Sequence, residues 1–204
     1  MIESNYLELL KAYRVDKKSA KELWSEINTN YSKKNRHYHN LKHLGVLLGQ
    51  LTEVKDQINN WKVILFTLYY HDIIYYSTKN NNEERSADLA SKRMTEIGVN
   101  EIEIKLCFEQ IMATKTHVKH SNADTNIFID ADLSILGREP RIYKIYCENI
   151  RKEYAIYPNF LYNKGRKKVI KHFLSMDRIF KTEAFYSKFE SQAKLNLECE
   201  LGQL

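Results

Sequence analysis

Two prolines and six glycines in 204 residues leave little punctuation for turns. A chain of many short strands needs more of both, so their scarcity excludes a strand-rich sandwich or barrel and predicts long helices packed as an all-α, single-domain helical bundle. Cysteine is scarce as well. Cys107, Cys147 and Cys199 are isolated, odd in number and without a C-x-x-C spacing; this excludes a disulfide framework and a zinc ribbon and predicts a reduced, cytoplasmic setting. No apolar run is long enough to span a bilayer. The longest, "VILFTLYY", starts at Val63, and the amino-terminal "MIESNYLELLKAY" puts Glu3 where a signal peptide carries positive charge, so a soluble protein with no membrane partner is expected. Linkers, low-complexity tracts and repeats are absent too, which predicts one domain over residues 1–204. Charge is only mildly one-sided: 32 basic against 26 acidic residues, net +6. That favours anionic partners without separating a phosphorylated metabolite from a nucleic acid.

What is present reads as helix starts and stops. Asn40 is placed to cap "LKHLGVLLGQL", in which Leu41, Leu44, Leu47, Leu48 and Leu51 recur on one helical face. Gly98 stops the helix before it, Pro140 and Pro158 sit where first-turn prolines belong, Thr182 is placed as a cap, and Asn82 precedes a first turn holding Glu83 and Glu84. "NWKVILFTLYYHDIIYY" is apolar on every side and belongs at the centre of a bundle. "EIEIKLCF", from Glu101, alternates like a strand, yet Ile104, Cys107, Phe108 and Ile111 also fit a helical face. Helix is expected, because a lone strand has no partner for its backbone groups.

Chemistry-bearing residues fall in three places. His39 and His43 are four apart, so a helix beginning near Asn40 would stack them on one side, with His43 at the border of the leucine face. His71 and Asp72 follow the most apolar run directly, where an imidazole and a carboxylate both need partners. "NIFIDADLSILG" holds Asp130 and Asp132 in an apolar stretch, where capping or solvation competes with ligation. Two imidazoles with two carboxylates form a mixed N/O set that suits Mn, Fe, Ni, Zn or Mg with positions left for water.

In this order, His43, His71-Asp72 and Asp132 resemble the H…HD…D signature of the HD superfamily of metal-dependent phosphohydrolases. "RHYHNLKHL", "HDIIY", "NEERSA", "DADLSILG", "IRKEYA" and "GRKKVIKHFL" are similar, in order and spacing, to a family of short bacterial HD phosphohydrolases, and the likeness covers nearly the whole chain. "YHNLKH" and "ADLS" also resemble segments of the helical cyclic-nucleotide phosphodiesterases. The resemblance implies an HD-type helical domain holding one or two divalent cations (Mn, Mg, Fe, Ni, Co or Zn) on His43, His71, Asp72 and Asp132. It implies His39 as the acid for a leaving oxygen, Asp72 as an orienting or bridging carboxylate, and a metal-activated water attacking a small phosphorylated compound such as a nucleotide. A helical module that keeps the site as a nucleotide or metal sensor without turnover is the alternative from another class.

Weaker candidates surround this set. The resemblance nominates Glu83 or Glu84 to orient water, against simple helix-dipole placement, and His117 for a second metal or a phosphate, against a surface role; His120 and His37 read as surface histidines. Arg36, Arg85, Arg151 and Arg166 are candidates for substrate phosphate, with a surface carboxylate as the equal alternative for Arg36 and a solvated helix face as the competing reading for the basic stretch from Arg151 to Lys171. That stretch is too weak a signal to favour nucleic acid, and nothing in the sequence marks an oligomeric state.

Overall fold

The computed structural model describes residues 2–204, and among them every regular element is helical. The all-α expectation holds. Contacts divide the chain into two compact units, Met1–Phe128 and Ile129–Leu204.

The first unit contains α1 (Ile2–Lys11), α2 (Lys17–Tyr31), α3 (Leu41–Glu53), α4 (Trp61–Tyr70), α5 (Asn82–Glu96), α6 (Glu101–Ala113) and the start of α7 (Ala123–Leu133). α4 is its axis. Val63 to Tyr70 are buried without interruption, and α1, α3, α5 and α6 pack around them. Each such apolar side chain contributes about 1.5–3 kcal/mol by leaving water, so a helix apolar all round is stable only where neighbours cover every face. The start of α4 is tied down by Asp124, whose carboxylate accepts the backbone N–H groups of Asn59 (2.9 Å) and Asn60 (2.7 Å). α3 meets the core through Leu44, Leu47, Leu48 and Leu51, as their spacing predicts. "EIEIKLCF" is helical in α6; Cys107 and Ile111 turn inward while Ile102 stands in solvent, which produced the strand-like alternation.

The second unit contains the end of α7, a short 3-10 segment Ser134–Gly137, α8 (Pro140–Glu153), α9 (Asn159–Leu174) and α10 (Glu183–Gln203). Gly137 is required by close approach: a Cβ there would meet the Phe189 backbone oxygen at 2.5 Å and its Cα at 2.8 Å. Helix backbone cannot swing aside as a side-chain tip can, so Gly137→Ala is expected to cost about 2 kcal/mol in urea unfolding, with the unfolding slope unchanged.

Several caps differ from expectation in an instructive way. Gly98 does stop α5, at φ +75°, and Pro140 does open α8. Pro158 lies one residue before α9, with extended backbone. Asn82 is the first residue of α5 and not its cap; its side chain bridges Tyr76 instead, accepting from the N–H (3.1 Å) and donating to the C=O (3.0 Å), which closes the loop after the His-Asp step. Thr182 occupies the cap position of α10, but its hydroxyl donates to Asp130 at 2.7 Å. Among the described residues, no helix is long and apolar enough to cross a membrane.

Candidate metal centre

His71 caps the carboxy-terminal end of α4 and is 1% exposed. Its Nδ1 lies 3.0 Å from the Leu68 carbonyl oxygen. A carbonyl only accepts, so Nδ1 carries the proton and Nε2 keeps its lone pair, the tautomer a metal-binding imidazole needs. That Nε2 faces the Nε2 of His43 at 3.2 Å. Two nitrogens about 2.0–2.1 Å from one cation, at angles between octahedral and tetrahedral, stand about 2.9–3.4 Å apart. The observed spacing fits shared ligation.

Asp132 completes the set. It is carried by α7, one helical turn beyond Phe128, whose ring lies edge-on to His71 with centroids 5.4 Å apart. His43, His71 and Asp132 each offer a ligand atom, all within 4.8 Å of one another. Two imidazoles and a carboxylate in such a group can hold a divalent cation. Asp72 borders it: its Oδ2 is 3.2 Å from His71 Nε2 and 3.9 Å from His39 Nε2.

His39 reaches the site by a route other than the one predicted. α3 begins at Leu41, and Asn40 is extended (φ −128°, ψ −176°) while its side chain accepts from Lys42 N–H. His39 therefore lies outside the helix, and a turn places it where helical stacking was expected to. The His39 and His43 rings are still 5.9 Å apart, and His39 stacks on Tyr75 at 4.1 Å with its edge toward Tyr38 at 4.9 Å.

Arg36 explains that turn. Its buried guanidinium donates to the carbonyls of His39 (3.2 Å), Asp72 (2.6 Å) and Ile73 (2.7 Å). It also lies over the rings of Tyr31 and Tyr75, with distances to centroid of 4.9 and 5.6 Å. One planar cation thus fastens the segment holding His39 to the His-Asp step. The sequence expectation for this residue is a phosphate or a surface carboxylate, and the structure gives it neither among these bonds. The clamp was missed because its acceptors are backbone carbonyls, which have no side-chain signature.

The remaining candidates are placed as follows. Glu83 is half-buried, and burial first, with the Asp72 charge adding to it, raises its carboxyl above the ordinary value. Glu84 pairs with Lys115, which lowers its carboxyl. Arg85 is exposed over the Tyr76 ring. His117 is half-buried at a positive φ of 53° and lies outside the His43, His71, Asp132 group. Asp130 is committed to structure, accepting from the N–H groups of Lys181 (2.8 Å) and Thr182 (2.6 Å).

Two arginines nominated for phosphate have their donors occupied within the second unit. Arg151 donates to the carbonyls of Tyr154 and Tyr157 and to Asn159 Oδ1. Arg166 is buried in a two-pronged pair with Glu200, at 2.7 and 2.9 Å, beside the Tyr143 and Tyr146 hydroxyls. Burial by itself would raise the Glu200 carboxyl, but Arg166 brings it below its ordinary value. A carboxyl lowered in the folded state contributes stability above its unfolded pKa and loses it as pH falls through the folded one. Glu200→Gln is therefore expected to cost about 3 kcal/mol at pH 7, since it strands a buried guanidinium. The gap to the parent protein narrows below about pH 4 when unfolding is followed against pH.

Comparison of the chain with protein-family models, curated proteins and solved structures gives no match, so the functional reading rests on the centre itself.

Proposed function

We propose that this chain is a metal-dependent phosphohydrolase of the HD type, acting on a phosphoester in a small compound such as a nucleotide. The observation that carries this reading is the pair of Nε2 atoms 3.2 Å apart, one with its tautomer set by Leu68, sharing a group with Asp132 and bordered by Asp72. A structural metal site would be closed by four protein ligands, whereas the three-residue mixed N/O group here leaves coordination positions for water or substrate. When bound, a divalent cation supplies Lewis acidity there: it acidifies water and draws charge from a phosphoryl oxygen.

The chain's own residues supply the rest. The Asp72 carboxylate, 3.2 Å from His71 Nε2 and 3.9 Å from His39 Nε2, orients the attacking water by accepting its hydrogen bond. His39, held flat on Tyr75, is the proton donor for the leaving oxygen.

Elemental analysis of protein grown in metal-supplemented medium, together with a phosphoester panel assayed with Mn, Mg, Ni and Co, tests the proposal. About one or two equivalents of divalent metal and hydrolysis of at least one phosphoester are expected. A metal-free, inert protein would sink it, and a metal-loaded protein inert on the whole panel would favour the sensor reading.

A further inference from the structure

The turn joining α8 to α9, together with the first turn of α9, is apolar where such a surface is ordinarily polar. Ile156 is 70% exposed, Phe160 71% and Leu161 46%. The turn is also built firmly: Arg151 bonds the carbonyls of Tyr154 and Tyr157 and the side chain of Asn159, and its guanidinium lies 4.7 Å from the Tyr162 ring centroid. These apolar side chains are thus held out in solvent by a fixed backbone.

Basic residues frame them. Lys152, in the last turn of α8, lies four residues before Ile156, Lys164 follows Phe160 along α9 by one turn and Lys168 by two, and all three are exposed. Residues 138–171 hold ten Arg or Lys against three Glu, a net +7, while the whole chain is +6. The positive formal charge is therefore concentrated in α8, α9 and the turn between them, where Arg166 is neutralised by Glu200, and the rest of the chain is close to neutral.

An occupant of this surface has to satisfy both features. A second copy would bring the same positive charge against it, which repels. A nucleic acid answers the charge, but its phosphate backbone offers nothing in which Ile156 and Leu161 can be buried. An anionic phospholipid surface takes both, with apolar side chains entering the acyl boundary and lysines meeting head-group phosphates. We propose that the α8–α9 turn is a membrane-docking tip that inserts Ile156, Phe160 and Leu161 into an anionic bilayer surface, with Lys152, Lys164 and Lys168 on the lipid head groups. This goes beyond the expectation of a protein without a membrane partner, and it is independent of the metal centre.

Sedimentation of the full chain with phosphatidylcholine vesicles, with and without phosphatidylserine, tests the proposal. Binding is expected only with phosphatidylserine, both with metal and in chelator, and should weaken as salt rises. Ile156→Ser/Phe160→Ser should lower partitioning roughly tenfold or more, and Lys164→Gln/Lys168→Gln about fivefold per charge. Helical circular dichroism should be unchanged in both variants. A Phe160→Trp reporter should shift its emission to the blue on adding anionic vesicles only. Absence of anionic-vesicle binding, or binding that survives Ile156→Ser/Phe160→Ser, overturns the proposal. So does a dimer that this double substitution dissociates, or oligonucleotide binding that it abolishes.

Discussion

His71→Ala is expected to abolish divalent-cation binding and to lower the proposed phosphoester hydrolysis roughly a thousandfold or more. His71 is the most constrained member of the group: 1% exposed, its Nδ1 satisfied by Leu68, its Nε2 facing both His43 and the Asp72 carboxylate. Removing it takes away a neutral donor and leaves His43 and Asp132 as an incomplete pair. The fold tests this without reference to catalysis. A cation that binds only the native state stabilises it by about 2.7 kcal/mol at a hundred times its dissociation constant, which for a chain of this length raises the melting temperature by roughly 5–10 °C. The parent protein should show that rise with Mn or Ni and His71→Ala should not. A variant that melts lower but still climbs on adding metal would place the cation elsewhere.

The sequence makes some of this architecture plain and hides the rest, for physical reasons. α4 is legible because a run apolar on all sides has one stable location, and the buried stretch Val63 to Tyr70 occupies it. The two aspartates of "DADL" look alike in sequence. They are two residues apart on α7, about 200° around the helix, so they face opposite ways. Asp130 turns to the N–H groups of Lys181 and Thr182, while Asp132 joins the histidines. Local pattern cannot tell them apart, because the difference lies in what each face meets. The Arg166–Glu200 pair spans 34 residues and was equally hidden. A basic run reads as a phosphate-binding surface until the carboxylate that meets it is located.

Arg36→Ala is expected to be the most damaging single substitution outside the metal group. It removes three hydrogen bonds from a charged donor to the carbonyls of His39, Asp72 and Ile73, together with the cation's packing over Tyr31 and Tyr75. Charge-assisted bonds of this kind contribute about 1.5–3 kcal/mol each, but the turn can partly relax toward water, so a net loss of about 4 kcal/mol is expected. That corresponds to a fall in melting temperature of roughly 8–16 °C. Arg36→Lys separates charge from geometry. An ammonium on a flexible stem lacks the planar fork that reaches carbonyls on two segments at once, so it should restore only part of the stability. It should leave the Asp72 and His39 backbones less well fixed, and the melting-temperature gain from added metal should be smaller than in the parent protein. A lysine variant with the full metal-dependent gain would show that positive charge alone, and not the fork joining the two segments, supports the centre.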